Sequence, residues 1–357
     1  MKIFVSTGEV SGDLHLSYLV KNILKIDSNV EFYGTAGEHC RAAGVNIIQD
    51  IKDLAVMGFT EALKKYRYLK KKAKEYLEFI KENKIDKVIL VDYGGFNLAF
   101  LKLLKKEVPQ VEVYYYIPPK LWVWGEKRIN TLKLADHIMV IFPWEVEFYK
   151  KHGVNAVYYG NPFSEKYSVI ENRGDKILLL PGSRKQEIQS LLPVMLEVVN
   201  ARPDKEFLLR LHSTEPFGWI QEKLLKYPNL TITRATLEEA VKESETAIAA
   251  SGTVTLELAL MGLPAVVIYK TNPINAFIAR NILKLGFVSL PNLTLNREVY
   301  PELLQEKCTS SEILFQLNLM KSKADQVEKD IREIRERLSG KDVVKNYGEY
   351  ILRGHNS

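Results

Sequence analysis

Short apolar runs rich in β-branched residues alternate with helix-patterned stretches along almost the whole chain, and that alternation leaves few architectures open. The runs Lys2 to Ser6, Val30 to Tyr33, Lys87 to Val91, Val111 to Ile117, His137 to Phe142 and Val157 to Gly160 read as strands. The polar, aperiodic stretch Asn161 to Asp175 then breaks the pattern and reads as a linker. Beyond it the alternation resumes at Lys176 to Leu180, Glu206 to Leu211, Leu230 to Thr233, Thr246 to Ala250 and Pro264 to Tyr269. The expected fold is α/β, with two Rossmann-like parallel-sheet domains facing across a cleft. A chain of 357 residues at 46% hydrophobic composition can bury both cores. The domains are expected at 1–165 and 166–310, followed by a charged helical tail, 311–357, that packs back on the first domain or on a partner chain.

Several classes are disfavoured. Cys40 and Cys308 lie far apart, and the six histidines have no metal-ligand spacing, so no disulfide framework, metal or cofactor is expected and a reducing cytoplasm is the natural setting. The N-terminus meets a polar turn too early for a signal peptide, and no apolar run approaches the ~20 residues of a membrane span. The net charge of +6 is modest but concentrated, with Lys64, Lys65, Arg67, Lys70, Lys71, Lys72 and Lys74 close together. At helical spacing, Phe59, Leu63, Tyr66 and Leu69 share one side with Ala73, Leu77 and Ile80. Two readings stand: those four residues enter an anionic membrane surface, or the stripe enters the core under solvated lysines. Lipid rather than nucleic acid is the expected anionic partner.

Ligands of open α/β sheets bind at the carboxyl ends of strands. In LLLPGSRKQEI, Gly182, Ser183 and Arg184 lie between a strand and a helix start, which offers free amides and a guanidinium to a diphosphate. In AASGTVTLELAL, Ser251, Gly252 and Thr253 open a helix, and Glu257 follows one turn later on the same face, placed to chelate a ribose diol. Plain capping with a solvated Glu257 is the alternative. Together the two loops favour a nucleoside diphosphate.

The opening GEVSGD turn lacks the dinucleotide glycine pattern, and its Glu9 and Asp13 would repel a pyrophosphate. With Ser11 and Gly12 they suit sugar hydroxyls. The composite is a two-domain glycosyltransferase of the GT-B type. Asp92, at a strand end beside Gly94 and Gly95, is the candidate base, or else a helix cap. Arg184 would stabilise the leaving group, so activity should survive chelation. Trp122 and Trp124 are placed to stack on sugar or acyl chain, or to pack in the core.

The ordered set GEVSGD, LAVMGFTEAL, VDYGGFN, LWVWGEKRI, FPWEVEFY, LLPGSR, ASGTVTLE, LPNL and PELLQ covers most of the chain and resembles the lipid A disaccharide synthases. The resemblance implies an inverting, metal-independent enzyme peripheral to the inner membrane on its cytoplasmic side. It would join UDP-2,3-diacylglucosamine to 2,3-diacylglucosamine 1-phosphate by a β(1→6) bond and release UDP. It also implies key roles for Asp92 and Arg184; Asn292 is expected on the nucleotide side, and Asn97 and Trp122 on the acceptor side. Departures from the family pattern are Gly95 in place of a second acid, Asn161 in place of a His, Pro119–Lys120 in place of small or apolar residues, and no proline after Gly37. A homodimer is left open. The alternatives are a non-hydrolysing UDP-sugar 2-epimerase of the same architecture and a non-catalytic lipid- or nucleotide-binding module.

Overall fold

The computed structural model describes residues 1–55, 62–121, 126–211, 224–270 and 286–354, leaving aside the side chains of 54, 55, 62–66 and 126. The chain forms two compact units, Met1–Glu165 with Ser339–Ser357, and Lys166–Leu338.

In the first unit β1 (Lys2–Ser6), β2 (Glu31–Ala36), β3 (Val45–Asp50), β4 (Lys87–Val91), β5 (Glu112–Tyr116), β6 (His137–Met139) and β7 (Ala156–Val157) form one parallel sheet in the order 3-2-1-4-5-6-7. The connections carry α1 (Val10–Ile26), α2 (Glu38–Ala43), α3 (Ile51–Ala55), α4 (Ala62–Glu82), α5 (Gly94–Glu107), α6 (Ile129–Leu132) and α7 (Pro143–Lys151). Every residue of β4 is buried, as a strand covered on both faces requires, and each such apolar side chain contributes about 1.5–3 kcal/mol by leaving water. Asn161 to Asp175 is less of a linker than its polarity suggests. It contains α8 (Phe163–Lys166), the Phe163 ring stacks on His15 at 4.2 Å, and the buried Asn161 donates to the Ile141 carbonyl at 3.2 Å and accepts from the Phe163 amide at 3.0 Å.

The second unit repeats the plan with β8 (Lys176–Leu180), β9 (Phe207–Arg210), β10 (Leu230–Thr233), β11 (Ser244–Ala250), β12 (Ala265–Tyr269) and β13 (Glu302–Leu304), parallel and in the order 10-9-8-11-12-13. Its helices are α9 (Lys185–Ala201), α10 (Leu237–Lys242), α11 (Thr253–Leu260), α12 (Leu290–Leu295), α13 (Ser310–Ser322) and α14 (Ala324–Leu338).

The tail expected to return as one piece from 311 is divided. α13 packs on α9, and α14 packs on α11 and α12, so both belong to the second unit. Only α15 (Val343–Arg353) joins the first unit, where it packs on α1 with Gly348 close against Ile23. A buried polar cluster at the amino ends of the strands fixes α15. Lys87 donates to the Ile351 carbonyl at 2.6 Å and pairs with Glu112 at 3.0 Å, and His137 bridges Glu112 (2.8 Å) and the Tyr350 hydroxyl (2.9 Å).

The basic helix also resolves in part. Ala73, Tyr76, Leu77 and Ile80 are core residues, and the partly buried Leu69 packs against the same core. Arg67, Lys70, Lys71 and Lys74 are exposed. Phe59 and the side chains of Leu63 and Tyr66 lie outside the described residues.

Candidate functional site

In each sheet the strand order reverses once, between β1 and β4 and between β8 and β11, and in open α/β sheets the loops leaving the carboxyl ends at such a point are where ligands bind. The loops singled out in the sequence are the four that flank these two points.

At the first, the chain leaves β4 through two consecutive left-handed residues, Asp92 (φ 44°) and Tyr93 (φ 47°), and it leaves β5 through a third, Ile117 (φ 54°). Side-chain-bearing residues avoid this region at a cost of about 1–3 kcal/mol each, so the surroundings must enforce it. They do: the Asp92 amide donates to the Ile117 carbonyl at 3.0 Å, and the Asp92 carbonyl accepts from Tyr115 Oη at 2.8 Å and Asn97 Nδ2 at 3.2 Å. The result is a partly exposed carboxylate on a rigid mount. Beside it Gly94 leaves no room for a Cβ against Pro119, whereas a Cβ at Gly95 would meet nothing within 4 Å.

The β1 turn lies against this loop. A Cβ on Gly8 would strike the Tyr93 ring, and Gly12 lets α1 approach Thr7. Glu9 is exposed at the start of α1 and Ser11 is partly buried. Burial, with the Glu9 carboxylate, pushes the Tyr93 phenol upward.

Two residues expected to hold the acceptor are instead structural. Asp13 is buried and accepts from the amides of Gly37 (2.7 Å), His39 (3.0 Å) and Cys40 (3.4 Å), which caps α2 across the β1–β2 edge. Asn97 is fully buried. Its amide donates to the Ser6, Val91 and Asp92 carbonyls and its oxygen accepts from Ser6 Oγ at 2.7 Å, so it staples the ends of β1 and β4. Trp122, with Trp124, lies outside the described residues.

At the second point Gly182 (φ 105°), Ser183 and Arg184 lead into α9, and the Arg184 side chain is exposed. The amides expected to be free are not. Glu187, one turn into α9, accepts from those of Ser183 (3.2 Å) and Arg184 (3.3 Å) and lies 3.7 Å from the Arg184 guanidinium. An acid at the third helical position is the ordinary way such donors are satisfied. After β11, on the other side of the reversal, α11 begins after Gly252, its N-cap, with Ser251 and Thr253 partly buried on either side. Glu257 is not simply solvated. It is partly buried and accepts from the Tyr167 hydroxyl, and burial raises its pKa while Tyr167, Lys166 and Arg210 draw it back down.

Asn292 is a correction too. Fully buried, it accepts from the Val299 (2.8 Å) and Tyr300 (2.9 Å) amides and donates to the Tyr300 carbonyl and Glu302, both at 2.8 Å, so none of its polar atoms is left for a nucleotide. Glu302 in turn accepts from the Val288 and Ser289 amides at the start of α12, which accounts for LPNL and PELLQ as one structural knot. Among the described residues no three His, Cys, Asp or Glu side chains converge as a metal site would need.

The family model described as lipid-A-disaccharide synthetase matches residues 3–352. A lipid-A-disaccharide synthase from Synechocystis sp. is 34% identical over 391 aligned positions, covering 100% of this chain and 98% of the relative. The chain belongs to the lipid-A-disaccharide synthase family. Members are glycosyltransferases of lipid A biosynthesis, and the activity of this chain is that of the family.

Two solved structures share the fold. A UDP-GlcNAc 2-epimerase from Methanocaldococcus jannaschii, in complex with UDP-GlcNAc and UDP, is 13% identical with a TM-score of 0.66, covering 99% of this chain and 100% of the other. MurG of Acinetobacter baumannii is 15% identical with a TM-score of 0.61, and the match covers 99% of each chain. At these identities the likeness concerns the fold alone. The epimerase alternative therefore gains nothing from it, and the family assignment decides for the transferase.

Proposed function

We propose that the first unit binds 2,3-diacylglucosamine 1-phosphate and the second binds UDP-2,3-diacylglucosamine, and that Asp92 accepts the proton of the attacking hydroxyl as the β(1→6) bond forms and UDP departs. The observation that carries this reading is the mount of Asp92, an acid held in a strained conformation by Ile117, Tyr115 and Asn97 at the carboxyl edge of its sheet, with open space at Gly95. Arg184, whose side chain is exposed at the start of α9, takes up the growing charge on the diphosphate. Glu257 accepts from the ribose hydroxyls.

The protein works at the cytoplasmic face of the inner membrane, and the exposed Arg67, Lys70, Lys71 and Lys74 supply the attraction to anionic head groups. No described helix is long and apolar enough to cross a membrane. The test is incubation of the purified chain with both lipid sugars and mass measurement of the products. A disaccharide 1-phosphate and UDP are expected, with turnover reduced about 10²-fold or more by Arg184→Ala. An epimer of the donor formed without acceptor would overturn the reading.

A further inference from the structure

Tyr167 is the second residue of the second unit, and its ring is buried although the residues on either side of it are exposed. Two helices hold it. Its hydroxyl donates to Glu257 Oε1 on α11, and its own carbonyl accepts from Arg335 Nη1 of α14 at 3.1 Å. Arg335 also donates to the carbonyl of Leu260 at the end of α11, so one guanidinium ties the Tyr167 backbone to the helix that carries Glu257. Lys166 Nζ donates to the Tyr167 hydroxyl at 2.6 Å and strengthens it as a donor. The phenol is thus fixed in place on one carboxylate oxygen, and that fixes the plane of the carboxylate.

We propose that Tyr167 is a positioning residue for nucleoside diphosphate binding: it holds the Glu257 carboxylate in the orientation that accepts the ribose diol. The proposal rests on the reading of Glu257 as the ribose ligand. A carboxylate accepting from a buried phenol through one oxygen offers its remaining lone pairs in a defined direction, and two vicinal hydroxyls need that direction. The same bond opposes the burial that raises the pKa of the carboxyl. Burial raises Glu257; Tyr167, Lys166 and Arg210 oppose this, and Glu238 on α10 adds to the rise. A protonated Glu257 would turn a donor toward the ribose, so binding should weaken on the acid side.

The experiment is calorimetric titration of the full chain with UDP and with 2′-deoxy-UDP between pH 5 and 8, for the wild type, Tyr167→Phe and Glu257→Gln, with thermal melting as a check on folding. For Tyr167→Phe we expect UDP to bind about tenfold more weakly, the deoxy compound to lose much less, and the acid limb of UDP binding to move to higher pH. Equal losses for both nucleotides with an unmoved acid limb would make Tyr167 merely structural and overturn the proposal. Should Tyr167→Phe bind UDP normally while Glu257→Gln is impaired, the positioning role fails alone. If Glu257→Gln binds UDP like the wild type, the ribose reading beneath it fails as well.

Discussion

Tyr115 donates a 2.8 Å hydrogen bond from its buried hydroxyl to the main-chain carbonyl of Asp92. Burial, then the Asp92 charge, pushes this phenol well above its ordinary pKa, so it is a donor at neutral pH. Tyr115→Phe should leave Asp92 present but loosely held, and turnover should fall about tenfold with UDP affinity unchanged. Asp92→Asn, which removes the proton acceptor itself, should cost roughly 10² to 10⁴. Steady-state kinetics alongside UDP titration separates the two effects, and a Phe variant with wild-type turnover would detach the contact from catalysis.

Asp13 makes the opposite case. Asp13→Ala strips the cap from three amides at α2 and should lower stability by about 1–2 kcal/mol. Turnover per folded molecule should stay within about threefold. Thermal melts and active-site-normalised rates decide; a large loss of turnover without loss of stability would return Asp13 to the reacting centre.

Glu112 gives the protein an acid-sensitive contact. Burial raises its carboxyl, but hydrogen bonds from Lys87 and His137 outweigh burial and leave the pKa below the ordinary value. A carboxyl whose folded-state pKa is depressed contributes stability above its unfolded pKa and loses that contribution as the pH falls through the folded one. Glu112→Gln should therefore cost about 1–2 kcal/mol at pH 7, where it also leaves the buried Lys87 without a counter-charge. The gap to the wild type should close as the pH falls below about 4. Denaturant melts at several pH values measure it, and a gap that is constant with pH would exclude the ion pair as its source.

On α4 the polar and apolar faces should respond differently. Replacing Arg67, Lys70, Lys71 and Lys74 by serine should weaken sedimentation with anionic vesicles, most visibly at low salt, and leave the melting temperature nearly unchanged. Leu69→Ser should lower the melting temperature, because Leu69 packs on the core. Unaltered vesicle binding by the serine variant would move the membrane contact elsewhere.

The interior strands were legible because each carries an unbroken apolar run behind its first lysine: β1, β4 and β8 lie at the positions expected from sequence. Two edge strands were not, although the edge strand β10 lies at its expected position, Leu230–Thr233. β3 (VNIIQD) mixes polar residues into its pattern, and β13 has three residues and pairs only with β12. An edge strand is covered on fewer sides, so its sequence carries less of the periodic signal.

What the sequence determined by itself was the family, the doubly wound plan and the loops that leave the strand ends at its two points of reversal, because strand, turn and helix preferences are local and survive in the order of residues. Polar assignments needed the tertiary structure. Asp13, Asn97 and Asn292 look like ligand-binding residues in sequence, yet each spends its hydrogen bonds on backbone groups far along the chain or across a loop. Tyr115 and Tyr167 carry no local signal, and their hydrogen bonds go to partners that folding brings to them. A side chain's function depends on whether its polar atoms remain unsatisfied after folding, and only the three-dimensional arrangement decides that.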